Sequence, residues 1–217
     1  MREEVIARLE KTGVIAILRG VPSKQALPVA ESLYAGGIRL LEFTYEQSAP
    51  ETWEETAETV GAVQAAMRGK LFVGAGTVTN PDLVELAAKC GGAFVVSPDT
   101  NPAVIARTRE LGLMSVPGAM TPTEAQTAHL AGADFVKLFP ACTLGADYVR
   151  LLHAPLSHIK LLAVGGITPE NAASFLRAGA VGVAVGGALV KKEWLENGDY
   201  LRSTAAAKAL LATLPHR

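Results

Sequence analysis

The chain has 217 residues, of which 49% are hydrophobic, and a formal net charge of −1 at pH 7. That is enough chain for one well-filled core, it sits within the size range of a single closed α/β barrel, and it offers no basic block as a footprint for nucleic acid. No run of roughly 18 or more apolar residues is present to span a bilayer, and the charged start Met1-Arg2-Glu3-Glu4 leads into an amphipathic stretch, not the layout of a secretory signal.

Taken in chain order, short apolar or β-branched runs suited to strands occur at 14–18, 38–43, 71–74, 93–96, 113–116, 134–138, 161–164 and 182–185. Between them lie Ala-, Leu- and Glu-rich stretches with helical periodicity, including 23–34, 50–67, 81–90, 122–130 and 169–177. Several helices open with a capping residue followed by proline, at Asn80-Pro81, Asn101-Pro102, Thr121-Pro122 and Thr168-Pro169, where proline suits the first turn. Others are expected to end in a left-handed glycine, at Gly36, Gly91, Gly112, Gly132 and Gly179. Gly91, Gly112 and Gly132 recur at about 20 residues, the length of one helix-strand unit. Eight such units predict an α/β fold, a (β/α)₈ TIM barrel forming one domain over residues 1–217. An open doubly wound sheet is the competitor, but the first strand is followed by Arg19-Gly20-Val21-Pro22 and not by a dinucleotide fingerprint. Two amphipathic stretches lie outside the repeat, at 2–11 and 200–214. Both are predicted to be helices, the first an extra N-terminal helix, with one of the two capping the barrel's N-terminal mouth.

Catalytic groups in such a barrel stand at the carboxyl ends of the strands. There the most informative residue is Lys137, a lone amine inside the apolar run Asp134-Phe135-Val136-Lys137-Leu138-Phe139-Pro140. Burial disfavours an ammonium and lowers its pKa, which leaves an amine able to attack a carbonyl carbon and form a Schiff base. The alternative is that Lys137 snorkels to water from the strand end. Alternation along strands places Phe135, Lys137 and Phe139 on one face and Leu40, Glu42 and Thr44 on one face of theirs, so inward faces bring Glu42 to Lys137. A carboxyl group there can ferry the protons that imine chemistry needs, and the plain alternative is a structural Glu-Lys ion pair. Arg19 offers a planar cation for a carboxylate or phosphate, and Thr77 a hydroxyl beside a glycine-rich turn; an ordinary solvated arginine is the other possibility. Pro98 ends the fourth strand. Gly165-Gly166 and Gly186-Gly187, after the last two strands, are placed to hold an anion through backbone N–H groups, or simply to make tight turns. Cys90 and Cys142 are too few for a disulfide framework, Cys142 has no histidine in a neighbouring motif, and His129, His153, His158 and His216 show no ligand spacing, so no metal is expected.

With these strand ends assembled, the chain resembles the bacterial class I aldolases that act on 2-keto-3-deoxy-6-phosphogluconate and 4-hydroxy-2-oxoglutarate. The carriers are Leu41-Glu42-Phe43-Thr44, Val73-Gly74-Ala75-Gly76-Thr77-Val78, Val96-Ser97-Pro98, Val116-Pro117-Gly118, Val136-Lys137-Leu138-Phe139-Pro140-Ala141 and Gly165-Gly166-Ile167. Composition, the few cysteines and the lack of a signal or span fit a soluble cytoplasmic protein. The resemblance implies a homotrimeric barrel in which Lys137 forms the Schiff base and Glu42 handles protons, the protein's own amine standing in for a cofactor. It also implies that Thr77 helps hold the pyruvyl carboxylate, and that the glycines after the last two strands receive a phosphate. Two departures stand out: Glu46 where some members have an arginine, and Gly186-Gly187-Ala188 where some have a serine. Both weaken tight phosphate recognition and leave an unphosphorylated or C4-epimeric 2-keto-3-deoxy acid as an alternative substrate. A non-covalent phosphate-binding isomerase or synthase and a silent ligand-binding barrel are the other readings.

Overall fold

Every strand found is parallel to its neighbours, which forces each connection to cross back over the sheet and puts helices on the outside. The architecture, seen in a computed structural model that describes residues 1–214, is an α/β barrel. Its strands are β1 (Val14–Leu18), β2 (Leu40–Thr44), β3 (Phe72–Gly76), β4 (Phe94–Val96), β5 (Met114–Val116), β6 (Gly118–Ala119), β7 (Val136–Leu138), β8 (Leu161–Val164) and β9 (Gly182–Val185). The hydrogen-bonded order is β5-β4-β3-β2-β1-β9-β8-β7-β6. The two ends of that order, β5 and β6, are consecutive in the chain and separated only by Pro117, which has no N–H to give a ladder. They are the two halves of one barrel strand: β5 pairs with β4, β6 pairs with β7, and the Lys137 N–H donates to the Pro117 carbonyl at 2.8 Å. The ring therefore closes on eight strand positions, with Lys137 on β7.

The helices are α1 (Arg2–Thr12), α2 (Ser23–Ala35), α3 (Trp53–Ala66), α4 (Pro81–Lys89), α5 (Pro102–Glu110), α6 (Pro122–Leu130), α7 (Ala141–His153), α8 (Pro169–Arg177), α9 (Lys192–Glu196) and α10 (Tyr200–Thr213). The capping signals act as read: Asn80 Oδ1 accepts from Leu83 N at 3.0 Å, Asn101 Oδ1 from Ala103 N at 3.0 Å, and Thr121 forms a reciprocal box with Glu124. Three expectations need correction. Residues 50–67 are not one helix, because Pro50–Thr52 is a 3₁₀ turn that precedes α3. Gly36 is not the left-handed position; its φ is −77° and Gly37 carries φ +102°. Gly36 is small for another reason: a Cβ there would lie 2.5 Å from the Cβ of Ala207 on α10. The strand expected over 134–138 begins at Val136, because Asp134 is turned to a different task.

That task is to anchor α1. The inner core of the barrel is filled by Ile15, Leu40, Phe94, Met114, Phe135 and Leu162, among others, and Val5 and Leu9 of α1 join it from below. The N-terminal helix thus plugs the mouth opposite the carboxyl ends of the strands. Arg2 grips the buried Asp134 carboxylate with two guanidinium nitrogens, Ser115 N–H donates to the same carboxylate at 2.9 Å, and Arg109 approaches at 3.4 Å. An Asp134→Ala variant leaves Arg2 and the Ser115 amide without their acceptor, which should cost about 2–3 kcal/mol. Thermal unfolding is expected to shift down by roughly 5–10 °C; an unchanged melting temperature would show that α1 docks through Val5 and Leu9 alone.

Candidate active site

The barrel's catalytic end is built by alternation. On each strand the side chains pointing inward at the top are two residues beyond those that fill the core: Ile17 then Arg19, Leu40 then Glu42, Phe135 then Lys137, Leu162 then Val164. They open into a cleft of about 750 Å³ lined by Arg19, Glu42, Thr77, Pro98, Lys137, Phe139, Gly165, Gly166, Gly186 and Gly187. The structure therefore brings all ten sequence-nominated positions to one place. Apolar residues complete the wall, namely Ile17, Val164, Ile167, Ala184, Ala188 and Val190, together with Thr168. Strand alternation could have found Ile17, Val164 and Ala184, each two residues before a nominated position; Ile167 ends a quoted motif without a role assigned to it, and nothing in the sequence singled out Val190.

Lys137 is 7% exposed and Glu42 is 2% exposed, so neither is a solvated rim residue. Glu42 Oε2 is buried without a hydrogen-bond partner. A structural ion pair would use that oxygen; left without a partner, it is a costly arrangement of the kind that functional sites retain. Room for the carboxyl group comes from glycine on the next strand. Glu42 is in register with Gly74, and a Cβ on Gly76 would lie 2.7 Å from Glu42 Oε1. A Cβ on Gly74 would lie 2.5 Å from the Phe94 ring, so that glycine lets the core aromatic lie flat beneath the site.

Burial pushes the Glu42 carboxyl up to about 7, against the pull of Lys137 and Arg19. Burial also pushes the Lys137 amine below its ordinary value, with Arg19 adding to the effect and the Glu42 and Asp99 carboxylates opposing it. Lys137 Nζ lies 4.9 Å from the centroid of the Phe139 ring, whose face favours the charged form and so opposes the effect of burial. Asp99, adjacent to Pro98 and exposed, was not foreseen as a neighbour of the amine.

Around this pair sit polar and backbone groups. Arg19 Nη2 donates to Thr77 Oγ1 at 3.2 Å. Thr77 has φ +59°, a left-handed conformation that a β-branched residue adopts only at a cost of about 1–3 kcal/mol. Gly165 and Gly166 have φ +93° and +71°. A Cβ on Gly165 would crowd the Phe139 ring at 3.0 Å, and one on Gly166 would collide with Cys142 Sγ at 2.2 Å. Cys142 abuts Gly166 but is exposed, not packed as expected, and it is not among the residues lining the cleft. Glu46 lines a separate recess of about 330 Å³ that shares Arg19 with the cleft, and its carboxylate accepts from Ser48 N and Oγ. His129 and His158 stack edge to face at 4.8 Å on the far side of the barrel, next to the base of β7. His216 lies outside the described residues.

Fold and cleft define an α/β-barrel enzyme with a buried amine and a buried carboxyl group lining one cleft. Residues 5–206 match the family described as KDPG and KHG aldolase, and the chain belongs to that family, which makes it a carbon–carbon lyase. It is 37% identical over 182 residues to the 2-dehydro-3-deoxy-6-phosphogalactonate aldolase of Escherichia coli strain K12, covering 83% of this chain and 86% of that one. The KHG/KDPG aldolase of the same strain is 31% identical over 189 residues, covering 85% and 84%. Among solved structures, native KDPGal is similar with a TM-score of 0.82 and 34% identity, over 92% of this chain and 93% of the other.

Proposed function

We propose that the chain is a Schiff-base aldolase that cleaves a 2-keto-3-deoxy-6-phospho sugar acid to pyruvate and glyceraldehyde 3-phosphate, and that 4-hydroxy-2-oxoglutarate, giving pyruvate and glyoxylate, is a further substrate. The observation that carries this reading is the unpartnered Glu42 oxygen in the same cleft as the buried Lys137 amine. Neutral Lys137 attacks the C2 carbonyl, and the resulting carbinolamine loses water to give a protonated imine. Glu42 supplies and removes protons in those steps. As the C3–C4 bond breaks, its electron pair flows into the iminium to form an enamine, while the C4 hydroxyl surrenders its proton to Glu42 and leaves as the aldehyde. Reprotonation at C3 and hydrolysis of the imine release pyruvate and regenerate the amine. The protein's own nitrogen is the electron sink, so no cofactor is needed.

Arg19 and Thr77 hold the 2-oxo acid carboxylate, Pro98 and Phe139 form the walls beside the reacting carbon, and the loops at Gly165-Gly166 and Gly186-Gly187 receive the phosphate. The enzyme acts as a cytoplasmic homotrimer on small molecules, with no nucleic acid or membrane partner; none of the described helices is long and apolar enough to cross a membrane.

The C4 configuration is where the relatives divide, and the higher identity to the phosphogalactonate enzyme favours that epimer. Turnover of the two C4-epimeric 6-phospho acids and of their unphosphorylated counterparts tests this. The phosphogalactonate form should have the highest kcat/KM, and loss of the phosphate should lower it at least about tenfold. Equal turnover with and without phosphate would remove the glycine loops from the substrate site.

A further inference from the structure

We infer that Gln47, an exposed side chain in the loop between β2 and α3, is a positioning residue: it holds Thr77 in the left-handed conformation from which the Thr77 hydroxyl meets Arg19 inside the cleft. This rests on the assignment of Thr77 and Arg19 to the 2-oxo acid carboxylate made above.

Thr77 is the only non-glycine residue with positive φ among the described residues. A β-branched residue stays in that conformation only if its surroundings over-determine it. The backbone clamps it on both sides: Tyr45 N–H donates to the Gly76 carbonyl at 2.9 Å, and Val78 N–H to the Val96 carbonyl at 3.2 Å. The first bond is made by the peptide before Thr77 and the second by the N–H of the peptide after it, whose carbonyl, that of Thr77, is taken by a side chain. Gln47 Nε2 donates to Thr77 O at 2.9 Å, while Gln47 Oε1 accepts from Thr79 Oγ1 at 2.8 Å.

An amide group has its donor and its acceptor on opposite corners of one plane, so this two-point grip straddles Val78 and, together with the Val78 N–H bond, fixes the rotation of the peptide that follows Thr77. The grip is anchored at both ends. Trp53 Nε1 donates to the carbonyl of Glu46, the residue before Gln47, at 2.9 Å, and Asn101 Nδ2 donates to the Thr79 carbonyl at 3.2 Å. A chain of side-chain amides and hydroxyls thus runs along the barrel rim across the loops after β2, β3 and β4. On its inner side the result is the Arg19–Thr77 contact at 3.2 Å. Gln47 itself does not line the cleft, so it acts on substrate only through Thr77.

The test is a KM-against-kcat split with a double-mutant cycle. Gln47→Ala should raise KM for the 2-keto-3-deoxy acid about tenfold and change kcat less than about twofold, because carboxylate binding weakens while the amine and acid stay in place. Gln47→Glu should do the same, since it still accepts from Thr79 but offers no N–H to the Thr77 carbonyl. Thr79→Ser keeps the hydroxyl and should match the wild type. Thr77→Val alone should raise KM, and adding Gln47→Ala to it should raise KM no further. Gln47→Ala with an unchanged KM, beside Thr77→Val with a raised one, overturns the role of Gln47 and leaves the carboxylate assignment standing. Thr77→Val with an unchanged KM overturns both. Borohydride trapping of pyruvate at saturation, expected in every variant, reports on Lys137 independently.

Discussion

Lys137→Met should abolish aldolase turnover, by about 10⁴-fold or more, and should abolish the irreversible mass gain that pyruvate plus borohydride produces in the wild type. The nucleophile is the only group whose removal leaves no covalent route, and the remaining cleft can supply only binding. Methionine fills a similar volume without a charge, so the barrel should survive. Burial already pushes the amine's pKa down, and an apolar replacement removes that strain, so the melting temperature should hold or rise. The partner variant Lys137→Arg separates covalent from electrostatic catalysis. Its guanidinium stays charged and cannot form an imine, so a Schiff-base enzyme loses activity in both variants, whereas an electrostatic clamp would keep much of it in the arginine form. The rate of trapping should also rise with pH in the wild type as the amine deprotonates, with its midpoint below 10.5, the ordinary value for a lysine. Arginine-variant turnover within tenfold of the wild type would end the covalent reading.

Much of this site was legible because strands carry a period of two and a barrel puts chemistry at one end of them. Glu42 and Lys137 each occupy the position two residues beyond a core-filling side chain, and that alone predicted their meeting. Helix openings were legible because Asn or Thr followed by proline leaves few other conformations. What escaped notice depends on contacts far apart in sequence. Helix α7 opens on Pro140-Ala141-Cys142 with no side-chain cap and bends at Gly145, so it carries none of the usual signals. Pro117 read as the end of a strand, yet it is the joint at which one barrel strand changes partners from β4 to β7. Gly36 and Gly37 differ in role because of Ala207, some 170 residues later in the chain. Gln47 gave no signal at all, since its use follows from a backbone angle at Thr77 that no local pattern encodes.

Glu42→Gln should lower kcat by about 10²- to 10⁴-fold, the range for a positioned proton-transfer group, while leaving the Lys137 adduct with pyruvate detectable. The amide fits the space beside Gly76 but cannot act as acid or base, so the pyruvate methyl group should stop exchanging its hydrogens with solvent. Removing the carboxylate also removes the influence that keeps Lys137 charged, which explains why trapping survives. Stability should move the other way. The unfolded chain releases this proton near 4.5 and the folded chain near 7, so the folded state binds the extra proton between those values. Folding is therefore favoured toward acid and weakens as pH rises through that window, after which the penalty is constant. Each unit of that displacement is worth about 1.4 kcal/mol, and the whole is about 3 kcal/mol. Glutamine carries no such penalty. Its advantage over the wild type should be small near pH 4.5, grow up to about pH 7 and then level off, as read by denaturant melts across pH. In the wild type the steps that need the ionised carboxylate should speed up around pH 7, where the folded-state carboxyl ionises and the stability loss levels off. A stability difference that does not change between pH 4.5 and 8 would mean that Glu42 is ionised throughout, and a carboxyl already bare in acid could not supply the protons the imine steps require.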